Sequence, residues 1–111
     1  MYDKIKIDDF FKLDIRIGEV LTAKKVPETD KLLELSVDLG EETPRTIVSG
    51  IAEYFSDPEA LVGIKIPILS NLEPRTIRGI ESNGMILAAS GDGTFSLLVA
   101  DTDIQNGSEI K

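Results

Sequence analysis

The sequence lacks the residues that most enzymes and metal sites use. Its 111 residues include no cysteine, no histidine and no tryptophan. Without cysteine it cannot be a disulfide-built secreted scaffold or hold a thiolate metal site. Without histidine it lacks the commonest general base and transition-metal ligand. Its 20 acidic side chains leave a carboxylate-pair enzyme conceivable, but no phosphate loop or nucleophile motif supports one. No cofactor and no metal are expected.

Long apolar runs are also missing. No stretch approaches the roughly 20 residues that a membrane-spanning helix needs, and no signal-peptide pattern opens the sequence. The expectation is a soluble cytoplasmic protein without a membrane partner. A chain of 111 residues is enough for one domain with a single hydrophobic core.

The net charge of −8 is unevenly distributed. Residues 1–31 carry equal numbers of basic and acidic side chains, whereas residues 32–64 set Arg45 alone against seven acids. Residues 65–91 are slightly basic and include Arg75 and Arg78. Nucleic-acid binding needs local positive potential. The overall acidity therefore does not exclude such a partner for the arginine-bearing stretch.

Short strands separated by turn signals dominate the chain. Residues 33–39 alternate apolar and polar side chains, which predicts a half-buried strand. Residues 13–26 begin the same way, with Leu13 expected to face inward, but change phase after Gly18. That slip predicts a long strand with a bulge. Further strands are predicted over residues 45–51, 64–70, 84–90 and 94–99.

Proline and acidic caps refine this pattern. Pro67 removes a ladder hydrogen bond, so its strand should lie at an edge or carry a bulge. Residues 56–63 predict a short helix capped by Asp57, and residues 7–13 predict one helical turn capped by Asp8 that closes an end of the core. Three strands, a short helix and two more strands favour an all-β, five-stranded oligonucleotide/oligosaccharide-binding (OB) barrel. A small β-sandwich is the alternative.

Five segments resemble the tRNA-binding domain family in order and spacing. They are DDFFKLDIRIGEV, DKLLELSVDLG, RTIVSGIAEYF, PEALVGIKIPILSNLEPR and RGIESNGMILAAS. The family includes the C-terminal domain or separate beta subunit of methionyl-tRNA synthetase, stand-alone tRNA-binding proteins and a secretion chaperone. The resemblance implies an OB barrel with a C-terminal extension, spanning residues 7–111 after a lead of residues 1–6. Its early start resembles a stand-alone protein or subunit, and a piece of a longer synthetase would look the same.

The resemblance also implies the residues that face RNA. By position in the family pattern they are Asn71, Arg75, Arg78, Ser82, Met85 and, as a weaker match, Lys31. Two positions depart, because Glu73 and Thr76 stand where many relatives have lysine, which bears on affinity more than on the location of the site.

Each of these residues also has a structural interpretation. The arginines could pair with Glu73 and Glu81, and Met85 could be buried. Asn71 and Ser82 could only form turns, and Lys31 could only solvate the start of a strand. Three aromatic residues could stack on bases, although packing in the core or in a dimer is favoured for them; they are Tyr54, Phe55 and Phe95.

The function that this resemblance implies is non-catalytic binding of tRNA, as a homodimer, with the methionyl-tRNA synthetase catalytic chain as a possible partner. Aromatic residues make up only 5% of the chain, which disfavours a stacking platform for arbitrary single strands. Recognition of tRNA shape and backbone is expected instead. The alternative is an export chaperone that holds unfolded preproteins in a dimer groove. The apolar residues after Gly91, with Phe10 and Phe11, are expected to form the dimer interface.

Overall fold

The computed structural model describes residues 1–111, and most of its regular structure is β-strand. Two short 3₁₀-helices, Ala52–Tyr54 and Pro58–Leu61, lie between the third and fourth strands. No helix is long and apolar enough to cross a membrane. The remaining elements are α1 (Ile7–Phe10), β1 (Ile15–Lys25), β2 (Leu33–Asp38), β3 (Arg45–Ser49), β4 (Lys65–Leu69), β5 (Arg75–Ile77), β6 (Ile80–Ser82), β7 (Met85–Ile86), β8 (Ala88–Gly91) and β9 (Thr94–Leu97).

Five strands form a nearly closed antiparallel barrel. Their order is β3-β2-β1-β4-β7, and the β5–β6 and β8–β9 hairpins form two separate small sheets. β7 returns towards β3, where the Asn83 N–H donates to the Thr46 carbonyl at 2.9 Å. This arrangement confirms the predicted OB barrel and excludes the β-sandwich.

The core follows the apolar alternation of the sequence. In β2 the residues Leu33, Leu35 and Val37 point inward and their neighbours are half-exposed, as predicted. A single cluster of buried side chains, mainly from the barrel strands and both 3₁₀-helices, fills the interior. Its most completely buried members are Val20, Leu33, Leu35, Val37, Ile47, Leu61, Ile66 and Ile68.

The long strand β1 curls at Gly18, where the sequence changes phase. A Cβ atom on Gly18 would lie 2.6 Å from Cγ1 of Val37, so the crossing of β1 over the core admits only glycine. Ile17 and Gly18 are both buried, which confirms the change of phase. The irregularity in pairing with β2 falls between Val20 and Thr22, however, so the bulge lies beyond the glycine. Leu13 precedes the strand and is exposed rather than inward-facing.

The prediction that Pro67 marks an edge or a bulge is wrong. β4 lies between β1 and β7, and Pro67 sits opposite Ile17 in regular register. Ile17 directs its N–H to the Ser108 carbonyl and its C=O to the Gly107 N–H, both in the C-terminal segment. The Pro67 backbone therefore faces away from β1, and its carbonyl accepts from the Leu87 N–H at 3.2 Å. The pairing of β4 with β7 ends at Ile68 and Ile86, so the missing N–H of Pro67 lies just beyond that pairing and removes no hydrogen bond from it.

Two other predictions need correction. The predicted fifth strand is divided at Leu87 into β7 and β8, because the chain leaves the barrel there to form the β8–β9 hairpin. The first helical turn exists, but its N-cap is Lys6, whose N–H donates to the Asp9 carboxylate. None of the residues of α1 is buried, so this turn does not close the core. The Asp57 cap is confirmed, since its carboxylate accepts from the Glu59 N–H.

The C-terminal extension completes β1. Residues 107–110 run antiparallel to the first half of β1, and the Ile110 N–H donates to the Ile15 carbonyl at 2.8 Å. Lys65 reaches the same segment through an ion pair with Asp103 at 2.8 Å, which holds the pKa of that carboxyl below its usual range. The extension is therefore an integral part of the barrel wall.

Candidate nucleic-acid interface

Arg75 and Arg78, the arginines of the slightly basic stretch of the sequence, lie on a two-stranded hairpin outside the barrel, here called the arginine hairpin (residues 75–82). Arg75 pairs with Ser82 at its base, and Ile77 pairs with Ile80 at its tip. The two residues between them, Arg78 and Gly79, have φ of 53° and 80°. Positive φ at both central residues is typical of the type I′ turns that join tightly twisted hairpins. The sequence predicts a loop here, whereas the structure gives a two-stranded antiparallel hairpin.

Both ends of the arginine hairpin are held by hydrogen bonds to the rest of the domain. On the β6 side, Ser82 is buried and its Oγ accepts a hydrogen bond from the Val48 N–H at 2.9 Å. On the β5 side, the Asn71 side chain accepts from the Asp14 N–H at 2.9 Å and donates to the Lys12 carbonyl at 2.8 Å. Asn71 and Ser82 therefore position the hairpin, and their polar atoms are already engaged.

The four arginines of the chain divide into two kinds. Arg16 pairs with Asp14 and Arg45 with Glu41, each with a shortest nitrogen–oxygen distance of 2.8 Å. The other two, Arg75 and Arg78, are exposed and have no carboxylate within ion-pair distance. The predicted alternative of pairing with Glu73 and Glu81 is absent. Two guanidinium groups are thus free to meet an anion, a role for which their planar fork is suited.

The predicted residues line two concavities, one beside the base of the arginine hairpin at Arg75 and one beside its tip at Arg78. The first, here called the Met85 pocket, has a volume of about 580 Å³. It is lined by Asn71, Leu72, Glu73, Pro74, Arg75 and Met85. Met85 is 39% exposed, so it is not the core residue that its alternation with Leu87 could indicate.

The second concavity, here called the Lys31 cleft, has a volume of about 390 Å³ and lies between residues 28–32 and Arg78. Lys31 and Arg78 thus share one cleft with Glu28 and Asp30, although the two basic residues are 47 positions apart in the sequence. The Lys31 backbone is fixed, because its carbonyl accepts from the Ala52 N–H at 2.9 Å. Of the six predicted residues, five line the two concavities, whereas Ser82 is buried and lines neither of them.

A larger cavity of about 730 Å³ has the wrong charge for phosphate. It is lined by carboxylates at Glu34, Glu41 and Glu81, against Arg45 alone. Arg45 is fully engaged, with two hydrogen bonds to Glu41 and one to the Ser70 carbonyl. Its hydrogen bonds lower the pKa of Glu41, which keeps that carboxylate charged. The chain has no cluster of three residues that could hold a metal ion.

Comparison with known proteins assigns the chain to a family. A family model described as "Putative tRNA binding domain" matches residues 15–109, which is most of the chain. The chain belongs to the tRNA-binding domain family. It is 50% identical over 108 residues to a methionine–tRNA ligase of Caldanaerobacter subterraneus, covering 97% of the chain and 17% of the ligase. A methionine–tRNA ligase of Deinococcus radiodurans is also 50% identical over 108 residues, covering 96% of the chain and 16% of the ligase. The domain spans about a sixth of the length of these curated relatives.

Solved structures of similar chains have the same fold. A methionyl-tRNA synthetase related protein from Pyrococcus horikoshii has a TM-score of 0.91 at 36% identity, covering 99% of this chain and 100% of that one. The chaperone CsaA from Bacillus anthracis has a TM-score of 0.86 at 28% identity, covering 98% of this chain and 100% of that one. The tRNA-binding domain described here therefore resembles both synthetase-related proteins and a chaperone along its whole length.

The site of this tRNA-binding domain contains residues that the sequence does not single out. Leu72 and Pro74 line the Met85 pocket with Arg75, and Leu72 is 42% exposed. An apolar residue between two turn-formers, Asn71 and Pro74, is the signal that could have revealed this. The backbones of Thr46 and Val48, which anchor the arginine hairpin, carry no signal in the sequence because any residue type offers the same N–H and C=O groups.

Proposed function

We propose that this domain binds tRNA without catalysing a reaction, through the arginine hairpin and the Lys31 cleft. Arg75, Arg78 and Lys31 contact the phosphate backbone, and Met85 offers an apolar surface to a base. Asn71 and Ser82 contribute by holding the hairpin in place. The observation that carries this proposal is that the two unpaired arginines of an acidic chain stand together on one anchored ribbon.

The place of these residues in the barrel supports the proposal. The arginine hairpin is inserted between β4 and β7, and Lys31 lies in the connection between β1 and β2. The corresponding connections are the ones with which OB-folds bind oligonucleotides. The three carboxylates of the largest cavity repel phosphate and disfavour the binding of RNA there.

Recognition by shape and backbone fits the composition of this face. Guanidinium contacts to phosphates carry no sequence information, and folded RNA is generally recognised through its shape and its unpaired regions. Tyr54 does not offer a free platform for bases, because it stacks on Phe95 with ring centroids 4.2 Å apart. A general single-strand binder would need several such free aromatic faces.

The partner is proposed from the relatives that contain the domain. As an appended domain or a beta subunit, it would raise the effective concentration of tRNA at the catalytic chain of methionyl-tRNA synthetase. In that role it supplies no catalytic group, and it works in the cytoplasm, where tRNA is charged.

A homodimer is part of the proposal. Leu98, Val99 and Ile104 in the C-terminal extension are exposed, and so is Phe11 beside the first helical turn. Phe95 does not belong to this surface, since it packs against the core. Exposed apolar side chains of this kind are typical of association surfaces. Sedimentation equilibrium at micromolar concentration should give twice the chain mass of 12.1 kDa, and a single 12.1 kDa species would contradict the dimer.

A chaperone function is the second candidate, because the fold of CsaA from Bacillus anthracis matches this chain along its whole length. Unfolded polypeptide would bind the exposed apolar surface rather than the arginines. That binding would depend weakly on salt, whereas counterion release makes phosphate binding strongly salt-dependent.

One experiment separates the two functions. Fluorescence anisotropy of labelled tRNA should be measured across a salt series, with an unfolded, signal-peptide-bearing protein as competitor. We expect binding that weakens steeply with salt, equal competition by any folded tRNA, and little competition by single-stranded DNA or by the unfolded protein. Competition by the unfolded protein at a potency equal to that of tRNA would support the chaperone instead.

A further inference from the structure

The Met85 pocket differs from the Lys31 cleft in having several apolar residues in its lining. Leu72, Pro74 and Met85 line it, and Leu72 and Met85 are exposed, although both could have been placed in the core. Its volume of about 580 Å³ lies within the range of about 300–1,000 Å³ that is typical of small-molecule sites. Apolar side chains contribute nothing to the binding of a phosphate. Recognition of the RNA backbone therefore does not explain why these side chains line the pocket.

The floor of this pocket is rigid. Met85 pairs with Leu69 of β4, and the next residue, Ile86, is buried in the core. The opposite wall begins at Asn71, whose side chain makes two hydrogen bonds to the segment before β1. A pre-formed pocket binds a flat ligand with little loss of side-chain entropy.

Two side chains of opposite charge complete the lining. Arg75 is unpaired and can bind a phosphate. Glu73 makes no hydrogen bond or ion pair and offers two acceptor oxygens with no donor. A nucleotide has the matching parts, namely a phosphate, a flat apolar face and a base edge with N–H groups.

The carboxylate of Glu73 restricts which base fits. Guanine presents two adjacent N–H donors on its Watson–Crick edge, so it can bind both oxygens of a carboxylate. Adenine and cytosine present one amino group beside an acceptor, and uracil presents one N–H between two carbonyl oxygens that a carboxylate repels. Unpaired bases in RNA are commonly recognised through this edge.

We infer that the Met85 pocket seats one unpaired guanine of the bound RNA, on a floor of Leu72, Pro74 and Met85, with Arg75 on its phosphate and Glu73 on its Watson–Crick edge. This inference rests on the proposed function and deepens it. It gives a positive role to an acidic residue that would otherwise only weaken phosphate binding.

The test uses the full chain, isotopically labelled at methionine and leucine methyl groups. The four ribonucleoside 5′-monophosphates and ribose 5-phosphate are titrated separately while the methyl NMR signals of Met85 and Leu72 are followed. We expect ring-current shifts of both signals with GMP, binding about fivefold or more tighter than that of UMP, and no such shift with ribose 5-phosphate. Absence of shifts at Met85 and Leu72, or equal affinity for all four nucleotides, would overturn the inference.

Substitutions of Glu73 test whether its carboxylate selects the base. Glu73→Gln should abolish the preference for GMP, and Glu73→Lys should also abolish it while making the binding of tRNA more strongly dependent on salt through the added charge. Glu81→Gln is the matched control, since Glu81 is a carboxylate of the adjoining arginine hairpin that lies outside the Met85 pocket, and it should keep the preference. Retention of the preference in Glu73→Gln would overturn the role of the carboxylate.

The same samples distinguish failure of this inference from failure of the proposed function. Binding of tRNA without any GMP response at Met85 would overturn the pocket and leave the proposed function standing. No binding of tRNA at any salt concentration would overturn the proposed function itself. Displacement of GMP by an unfolded polypeptide but not by tRNA would assign the pocket to protein and overturn the inference.

Discussion

The molecule contains two hairpins with the same turn geometry and different residues at the tip. Arg78 and Gly79 join β5 to β6 with φ of 53° and 80°, and Asp92 and Gly93 join β8 to β9 with φ of 50° and 76°. Aspartate followed by glycine is a preferred pair for such turns, because aspartate tolerates the left-handed conformation. Arginine has no such advantage and is strained there.

The difference between the tips matches a difference in what the hairpins contact. The β8–β9 hairpin packs Phe95 and Leu97 against the core, so its turn residues serve the fold. The arginine hairpin buries little of β5 and projects Arg78 into solvent beside Lys31. Strain that packing does not require is a reason to look for function. The comparison supports the proposal that the arginine hairpin serves binding, while the β8–β9 hairpin packs against the core.

The largest change in the free energy of unfolding is expected for a substitution of Phe95 in the β8–β9 hairpin. Phe95→Ala removes the stack on Tyr54, at 4.2 Å between ring centroids, and the contacts with the core. The free energy of unfolding should fall by about 2–3 kcal/mol, since the side chain is only partly buried. The affinity of the folded fraction for tRNA should not change. Urea denaturation and anisotropy measure the two quantities, and a loss of affinity without a loss of stability would place RNA on the β8–β9 hairpin.

The next effect is expected at the root of the arginine hairpin. Ser82→Ala leaves the buried Val48 N–H without its 2.9 Å partner, which should cost about 1–3 kcal/mol of stability. Binding of tRNA should weaken as well, because the hairpin is held less firmly. Ser96→Ala on the other hairpin is the control, since Ser96 is exposed, and it should change stability by less than about 0.5 kcal/mol. Equal effects of the two substitutions would remove the positioning role of Ser82.

The smallest effect is expected at the strained tip itself. Arg78→Asn should raise the free energy of unfolding by about 0.5–1 kcal/mol, because asparagine tolerates positive φ, and should weaken the binding of tRNA. Asp92→Arg is the reciprocal change and should lower stability by a similar amount while leaving binding intact. Thermal or urea unfolding resolves both changes. Destabilisation by Arg78→Asn would mean that the arginine side chain stabilises the turn, and the contrast between the hairpins would be wrong.

The sequence predicts the barrel well because its strands have one buried face. The alternation in β2 and the change of phase at Gly18 both reflect the packing of side chains on a curved sheet. The site residues come from the resemblance to a family rather than from their spacing. Lys31 and Arg78 share a cleft only because the barrel brings two distant connections together.

The remaining features depend on interactions that the local sequence does not encode. The arginine hairpin is missed because arginine is not a typical residue for a left-handed turn position. Pro67 is placed wrongly because its missing N–H faces the point where the short pairing of β4 with β7 has ended, which depends on a contact between residues far apart in the chain. Neither interaction has a signature within a window of a few residues.

The salt dependence of tRNA binding by Arg78→Ala tests the central claim most directly. In a dimer, Arg75 and Arg78 supply about four phosphate contacts, which contribute about −3 to the slope of log affinity against log salt, in addition to the contribution of Lys31. Arg78→Ala should halve the contribution of the arginines, and the same fraction is lost in a monomer. Arg16→Ala is the matched control, because Arg16 is already paired with Asp14, and it should leave the slope unchanged. An unchanged slope in a folded Arg78→Ala protein would mean that RNA binds another face and that the arginine hairpin is structural.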